Sequence, residues 1–301
     1  MASFENTNNK NMSGFELLRK ANELREVVSI RYFLTPSQRY EDIMELLKKS
    51  ANAYKIEENW ESAAHGYLHL VNFINDNKTK GLDYLFTSND AIEYYLNAAH
   101  CYDKINHPGK IIFKVKAMEI YKSNGKFKQA GKLAIQIAEA YEKDLDNSNA
   151  IKYYNTAYKL FGLDKDKHSE SVSCLNKIAE ISINLDIKDL EKIAQCYDKI
   201  IEHYQSVKLG QYQLKKYICM RMLVTLCYYD PEVTSNKLNE YYSKDYTFES
   251  SYEGKFITNI IKSIESTDVQ LFENTCFEFD RVKTLDKPMV VLLTEIKKQI
   301  E

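Results

Sequence analysis

The segment Gly125-Lys126-Phe127-Lys128-Gln129-Ala130-Gly131-Lys132 has the composition of a phosphate-cradling loop but fails as one on three counts. Such a loop places four residues between its glycines, follows its lysine with Ser or Thr for Mg²⁺, and joins a strand to a helix. Here five residues separate Gly125 from Gly131, Leu133 follows Lys132, and the preceding pattern is helical. The segment reads as a turn entering a basic helix start, so nucleotide binding at this place is excluded. His65 and His69 stand one helical turn apart, with Glu61 a turn before them, a geometry that can hold a metal on one helix face. The HExxH pattern is absent, no third ligand is evident, and a closed zinc site needs four ligands. The six cysteines (Cys101, Cys174, Cys196, Cys219, Cys227, Cys276) are scattered without a CxxC pair and read as buried thiols rather than a metal or disulfide framework. No GxSxG elbow occurs, and neither Cys/His nor carboxylate pairs show catalytic spacing. The expectation is a chain with no catalytic residues, no cofactor and no metal.

Two other groups of residues have the chemistry of binding. Lys126, Lys128 and Lys132 cluster at one helix start, Lys177 follows two helices later, and Lys215, Lys216 and Arg221 come later still. Solvated lysines are the ordinary state of a helix surface. Cations at equivalent positions on alternate helices would instead build one basic stripe against an acidic partner. The second group is Ile30-Arg31-Tyr32-Phe33-Leu34, followed by Thr35-Pro36-Ser37 between two predicted helices. An apolar loop ordinarily tucks into a neighbouring core. If exposed, it is a wedge for the lipid headgroup boundary, with Arg31 and Arg39 meeting anionic lipid.

The elements that must position these residues are helices. Gly 9 and Pro 4 in 301 residues make about 4 %, a third of the ordinary share, too few turn residues for a sandwich, barrel or dinucleotide-binding domain. Helical periodicity runs over 14–29, 38–55, 60–75, 90–105, 109–123, 127–143, 149–161, 169–185, 190–205, 211–229, 232–243, 252–266, 269–280 and 287–300. The joints carry stop signals such as His107-Pro108-Gly109, Asn124-Gly125 and Asp230-Pro231. With 41 Lys+Arg against 43 Asp+Glu the charge is −2, which removes a globally basic nucleic-acid binder, so the 23 tyrosines are not read as base-stacking platforms. No apolar run approaches the length of a membrane span, and the Asn-rich start has no signal-peptide core. The expected location is therefore the cytoplasm.

A small residue followed three or four positions later by an aromatic recurs at helix ends: Ala51/Tyr54, Ala99/Tyr102, Ala117/Tyr121, Ala138/Tyr141 and Ala157/Phe161. Tyr102 to Tyr141 and Tyr121 to Phe161 are each a step of about forty residues, the period of a stacked helix pair. The fold class expected is all-α, a tetratricopeptide-like helical-hairpin solenoid with a C-terminal helical bundle. The chain divides into a polar, flexible N-terminus over 1–13, a solenoid over 14–229 and the bundle over 230–301.

In order and spacing, several segments resemble the soluble NSF-attachment protein family over most of the chain. They are Ser50-Ala51-Asn52-Ala53-Tyr54-Lys55 with Asn59-Trp60-Glu61-Ser62-Ala63-Ala64, Ala117-Met118-Glu119-Ile120-Tyr121, Ile137-Ala138-Glu139-Ala140-Tyr141-Glu142 and Ala150-Ile151-Lys152-Tyr153-Tyr154. Leu285-Asp286-Lys287 and Leu292-Leu293-Thr294-Glu295-Ile296-Lys297-Lys298 are similar to the α type of that family. The resemblance implies a non-catalytic adaptor that binds the four-helix SNARE bundle on membranes and recruits the hexameric ATPase NSF to pull it apart. It implies a monomer in solution with several copies on one bundle. It places the bundle contacts on Lys126, Lys132, Lys177, Lys216 and Arg221, with Ser173 where the family carries a further lysine. It places the membrane contact on Ile30, Tyr32, Phe33 and Leu34, favouring the lipid reading of that loop and peripheral association with vesicle and organelle membranes.

The resemblance also assigns the ATPase-facing acids to Asp230, Glu265 and Asp268, although Lys262 and Ser266 stand where acids are usual. The family's acidic tail with a penultimate leucine has only Ile300 and Glu301 as a counterpart, and residues 77–88 exceed the family pattern. The rival reading is a general tetratricopeptide-like scaffold that captures a peptide or trafficking partner without any ATPase. A metal enzyme built on His65 and His69 is the remote third.

Overall fold

The computed structural model describes residues 12–26, 36–78, 87–163, 169–207 and 210–301, and these fall into two compact units, 1–144 and 145–301. All fourteen expected helices are present, and no strand occurs among the described residues. The fold is all-α, built of consecutive helical hairpins. The expected boundary between 229 and 230 lies within the second unit, whose apolar core runs without interruption from Val172 to Ile300.

In the first unit α1 (Gly14–Glu26), α2 (Pro36–Ile56), α3 (Trp60–Lys78), α4 (Ser88–Lys104), α5 (Gly109–Ser123) and α6 (Phe127–Lys143) each pack on the next. Small residues set the spacing. A Cβ on Gly66 would stand 2.9 Å from that of Ala51, so α2 and α3 approach almost to backbone contact. Around that contact Leu47, Ala63, Tyr67, Leu70 and Ile74 are buried. Closing out water over such a surface is the main stabilising term, about 25 cal/mol per Å² of apolar area. At the entrance to the unit, Ser50 donates to the Gly14 carbonyl at 2.6 Å and Gly14 N–H donates to Glu57 at 2.9 Å, which seats the start of α1 on the end of α2.

The repeated aromatic at helix ends has a structural meaning beyond packing. Its carbonyl accepts the bond that turns the chain back. Asn59 N–H donates to Tyr54 O at 2.9 Å, His107 to Tyr102 O at 2.8 Å and Lys126 to Tyr121 O at 2.9 Å. In each joint the residue before the donor is left-handed: Glu58 (φ 55°), Asn106 (φ 50°) and Gly125 (φ 70°). This is the Schellman arrangement, in which the joint satisfies the last orphan carbonyls of a helix. Only Gly125 enters the left-handed region without a Cβ penalty. Glu58 carries that penalty, roughly 1–2 kcal/mol, against about 0.4–1 kcal/mol of unfolded-state entropy that a glycine would add. Glu58→Gly is therefore expected to raise stability by about 0.5–1 kcal/mol, readable as a higher denaturant midpoint at constant slope.

The second unit comprises α7 (Asn147–Leu163), α8 (Ser169–Ile183), α9 (Leu190–Ser206), α10 (Gln211–Leu226), α11 (Pro231–Lys244), α12 (Tyr252–Glu265), α13 (Val269–Val282) and α14 (Lys287–Lys297). Six of these starts carry an N-cap side chain: Asp146 accepts from Asn149 N–H, Asp189 from Lys192, Asp230 from Val233, Ser251 from Gly254, Asp268 from Leu271 and Asp286 from Met289. Each cap satisfies one orphan donor and is worth about 1 kcal/mol. α10 forms the centre: Ile218, Met222, Leu223 and Leu226 are buried among residues of α12 and α14. Helix α14 runs alongside α10. Lys216 reaches Asp286 at 3.2 Å near one end, and the Gln299 amide donates to the Leu226 carbonyl at 2.8 Å at the other.

Candidate functional site

In the first unit the candidate cations stand at the start of α6. Gly125 closes α5 in its left-handed turn, and α6 begins at Phe127, so the glycine-rich segment is a turn followed by a helix start. Lys126 sits at the N-cap position and donates to the Asn89 side chain at 2.8 Å, while Asn124 donates to Ser88 at 2.8 Å. Both bonds tie the joint to the start of α4, which leaves Lys126 partly covered. Lys132, one turn further on, is exposed.

In the second unit the other cations differ in how far they are already committed. Lys177 on α8 is half-exposed and stands 3.9 Å from Glu180, a surface pair worth well under 1 kcal/mol. Lys216 on α10 makes its pair with Asp286, also at the surface. Such pairs exchange readily for a partner's carboxylate. Ser173, at the position of the further family lysine, is exposed on α8.

Arg221 is different, because its side chain is committed within the unit. Its side chain is only 15 % exposed. Nε donates to Asp198 of α9 at 3.1 Å and Nη1 to Thr225 at 2.6 Å. The same Asp198 oxygen accepts from the Tyr241 hydroxyl at 3.1 Å and faces Lys237 of α11 at 3.6 Å. The guanidinium therefore stitches α9, α10 and α11 together. Burial, reinforced by the Asp198 charge, holds the Tyr241 phenol protonated far above its ordinary range.

The acids expected to face an ATPase gather at one end of the second unit. Tyr229, between α10 and α11, donates to Glu265 at the end of α12 at 3.0 Å, which brings Asp230 and Glu265 to the same end. Burial and the Glu265 carboxylate push the Tyr229 phenol up to about 12, so it stays a donor at any physiological pH. Asp230 and Asp268 each spend one carboxylate oxygen on capping and remain exposed.

The chain end arrives at the same place. Gln299 donates to the carbonyls of Leu226 and Cys227 at the end of α10. Ile300, expected to face an ATPase, is 4 % exposed and belongs to the apolar core of the unit. Glu301 is exposed and pairs with Lys297 at 3.2 Å. The apolar segment Ile30, Tyr32, Phe33 and Leu34 lies outside the described residues, as do residues 79–86 of the longer segment.

His65 presents its ring edge to Tyr102 at 6.3 Å, and His69 is lowered in pKa by burial, with Arg25 and His65 adding to the effect. No cluster of three or more His, Cys, Asp or Glu that could hold a metal occurs among the described residues. Burial also raises the pKa of Cys101, Cys174, Cys196, Cys219, Cys227 and Cys276, so all six are held as thiols.

Sequence reasoning missed the Asp198 hub, because its partners lie 23 and 43 residues away and share no spacing signal. It also missed the commitment of Ile300, whose only clue is its place one turn beyond the apolar face of α14.

Comparison with known proteins matches residues 13–301 to the family described as soluble NSF attachment protein, SNAP. The alpha-soluble NSF attachment protein of Vitis vinifera is 27 % identical over 263 residues, covering 87 % of both chains. The human alpha-soluble NSF attachment protein is 25 % identical over 273 residues, 88 % of this chain and 86 % of its own. A soluble NSF attachment protein homolog of fowlpox virus is 24 % identical over 292 residues, 95 % and 98 % of the two lengths.

Proposed function

The chain belongs to the soluble NSF attachment protein family, and from that membership we propose that it binds assembled SNARE bundles and recruits an NSF-type ATPase to dismantle them. As a family member it is a non-catalytic adaptor of vesicle trafficking. The exposed Lys132 and Lys216, with the partly covered Lys126 and Lys177, are the bundle contacts of this reading. The single observation that carries the ATPase half is the Tyr229–Glu265 bond, since it gathers Asp230 and Glu265 at one end of the unit.

Each exposed lysine–carboxylate pair contributes about 0.2–1 kcal/mol, so one copy binds weakly and with strong salt dependence. Several copies on one bundle raise the effective concentration without tighter individual contacts. The test is a pull-down from purified components. The chain is expected to retain the ATPase only when the bundle is present, and to lose the bundle as NaCl rises. A complex that forms without the ATPase under every condition favours the peptide-capturing scaffold instead.

Membrane contact falls to Ile30, Tyr32, Phe33 and Leu34, and with it peripheral association from the cytoplasmic side. No described helix is long and apolar enough to cross a membrane. Phe33→Ser with Leu34→Ser is expected to lower disassembly of liposome-embedded bundles several-fold and to leave soluble bundles unaffected. Equal losses in the two assays would assign the segment a purely structural role.

A further inference from the structure

The second unit carries a groove of about 990 Å³, large enough to receive about two turns of a helix, between the α8–α9 joint, the end of α10 and the start of α11. Three of its lining residues are apolar and exposed well beyond what a surface needs: Ile187 at 91 %, Tyr228 at 73 % and Val233 at 56 %. Its three cations are withdrawn. Lys188 pairs with Glu295, Arg221 with Asp198, and Lys237 with Asp198 and Glu240. What faces solvent at the lip is mostly acidic, with one exposed lysine, Lys192, paired with Asp189 at 2.6 Å. Asp189 and Glu191 are exposed there, and Asp230 and Glu232 stand exposed beside Val233.

We propose that this groove is the anchor of the ATPase contact, receiving an apolar side chain or short helix whose flanks are basic. The proposal rests on the ATPase reading above and specifies what holds that contact. Three observations support it. The groove continues into the acidic end, because Tyr228 and Val233 bracket Asp230 and Tyr229 holds Glu265. Its solvent-facing charge is predominantly negative, four acids against the single lysine Lys192, and complements a basic surface. Exposed acid–base pairs alone are individually weak, whereas a central aromatic or aliphatic side chain shielded by a polar rim carries most of the energy of a typical interface.

The test is the affinity of the full chain for a purified NSF-type ATPase, measured at low and high NaCl on preassembled bundles. Ile187→Ser with Tyr228→Ser is expected to weaken binding about tenfold and to make the remainder far more salt-sensitive, with Tyr228→Phe restoring most of it. Both side chains are solvent-exposed, so the melting curve serves as the control for folding. If Asp230→Lys with Glu265→Lys abolishes binding while the Ile187/Tyr228 pair leaves it unchanged, the groove is overturned and the ATPase reading stands. If the unaltered chain does not bind the ATPase, both fall.

Discussion

Lys132→Glu combined with Lys177→Glu is expected to cut binding to an assembled SNARE bundle by one to three orders of magnitude while leaving the fold intact. Each substitution removes an attraction of about 0.2–1 kcal/mol and installs a repulsion of similar size, so two of them sum to about 1–4 kcal/mol. With several copies on one bundle the loss compounds. Lys132 is exposed, and the Lys177–Glu180 pair lies at the surface. Equilibrium binding at physiological salt, beside an unfolding curve for the same protein, separates the two effects. Unchanged binding would remove these lysines from the interface.

The second large effect is on stability. Asp198→Ala is expected to destabilise the second unit by about 2–3 kcal/mol. Removing this carboxylate strands the Arg221 guanidinium and the hydroxyl of the fully buried Tyr241, and leaves the Lys237 ammonium to Glu240. Breaking a fully buried pair in this one-sided way costs about 3–5 kcal/mol, and the 36 % exposure of Asp198 lets water recover part of it. Asp198→Asn keeps an acceptor for Tyr241 and should cost less, about 1 kcal/mol. Urea denaturation of the two variants orders them. Equal midpoints for wild type and Asp198→Ala would show the hub to be idle. The same geometry bears on binding experiments. Arg221→Glu is expected to lose stability along with any affinity, so that variant cannot by itself identify a bundle contact.

Helix existence was legible because its signals are local. Asp230-Pro231, Asp286 with Pro288, and Asp268 three residues before Leu271 place a cap and an apolar face within one turn, and the helices begin there. Helix ends were less legible. α10 stops at Leu226 and α14 at Lys297, each three residues short of the periodicity, because the apolar pattern continues into turns that still pack on the core. The Ala/Tyr repeat was visible, whereas its second role as the acceptor of the reversing bond was not. That role depends on Glu58 and Asn106 entering the left-handed region, which asparagine favours but glutamate does not announce.

The candidate site divides along the same line. Exposed cations such as Lys132 are where a surface reading puts them. The surroundings of Arg221 and Ile300 were not legible, because they are made by chain segments far away in sequence: Asp198 and Tyr241 for the one, the shared apolar core of the second unit for the other.

The most direct measurement of the whole account is ATP-dependent dissociation of a purified SNARE bundle by an NSF-type ATPase, followed with and without this chain. The account predicts rapid dissociation only when chain, ATPase and ATP are all present. It also predicts loss of that activity both in the Lys132→Glu/Lys177→Glu protein, which no longer holds the bundle, and in the Asp230→Lys/Glu265→Lys protein, which still does. Dissociation at the same rate without the chain, or undiminished in both variants, would contradict it.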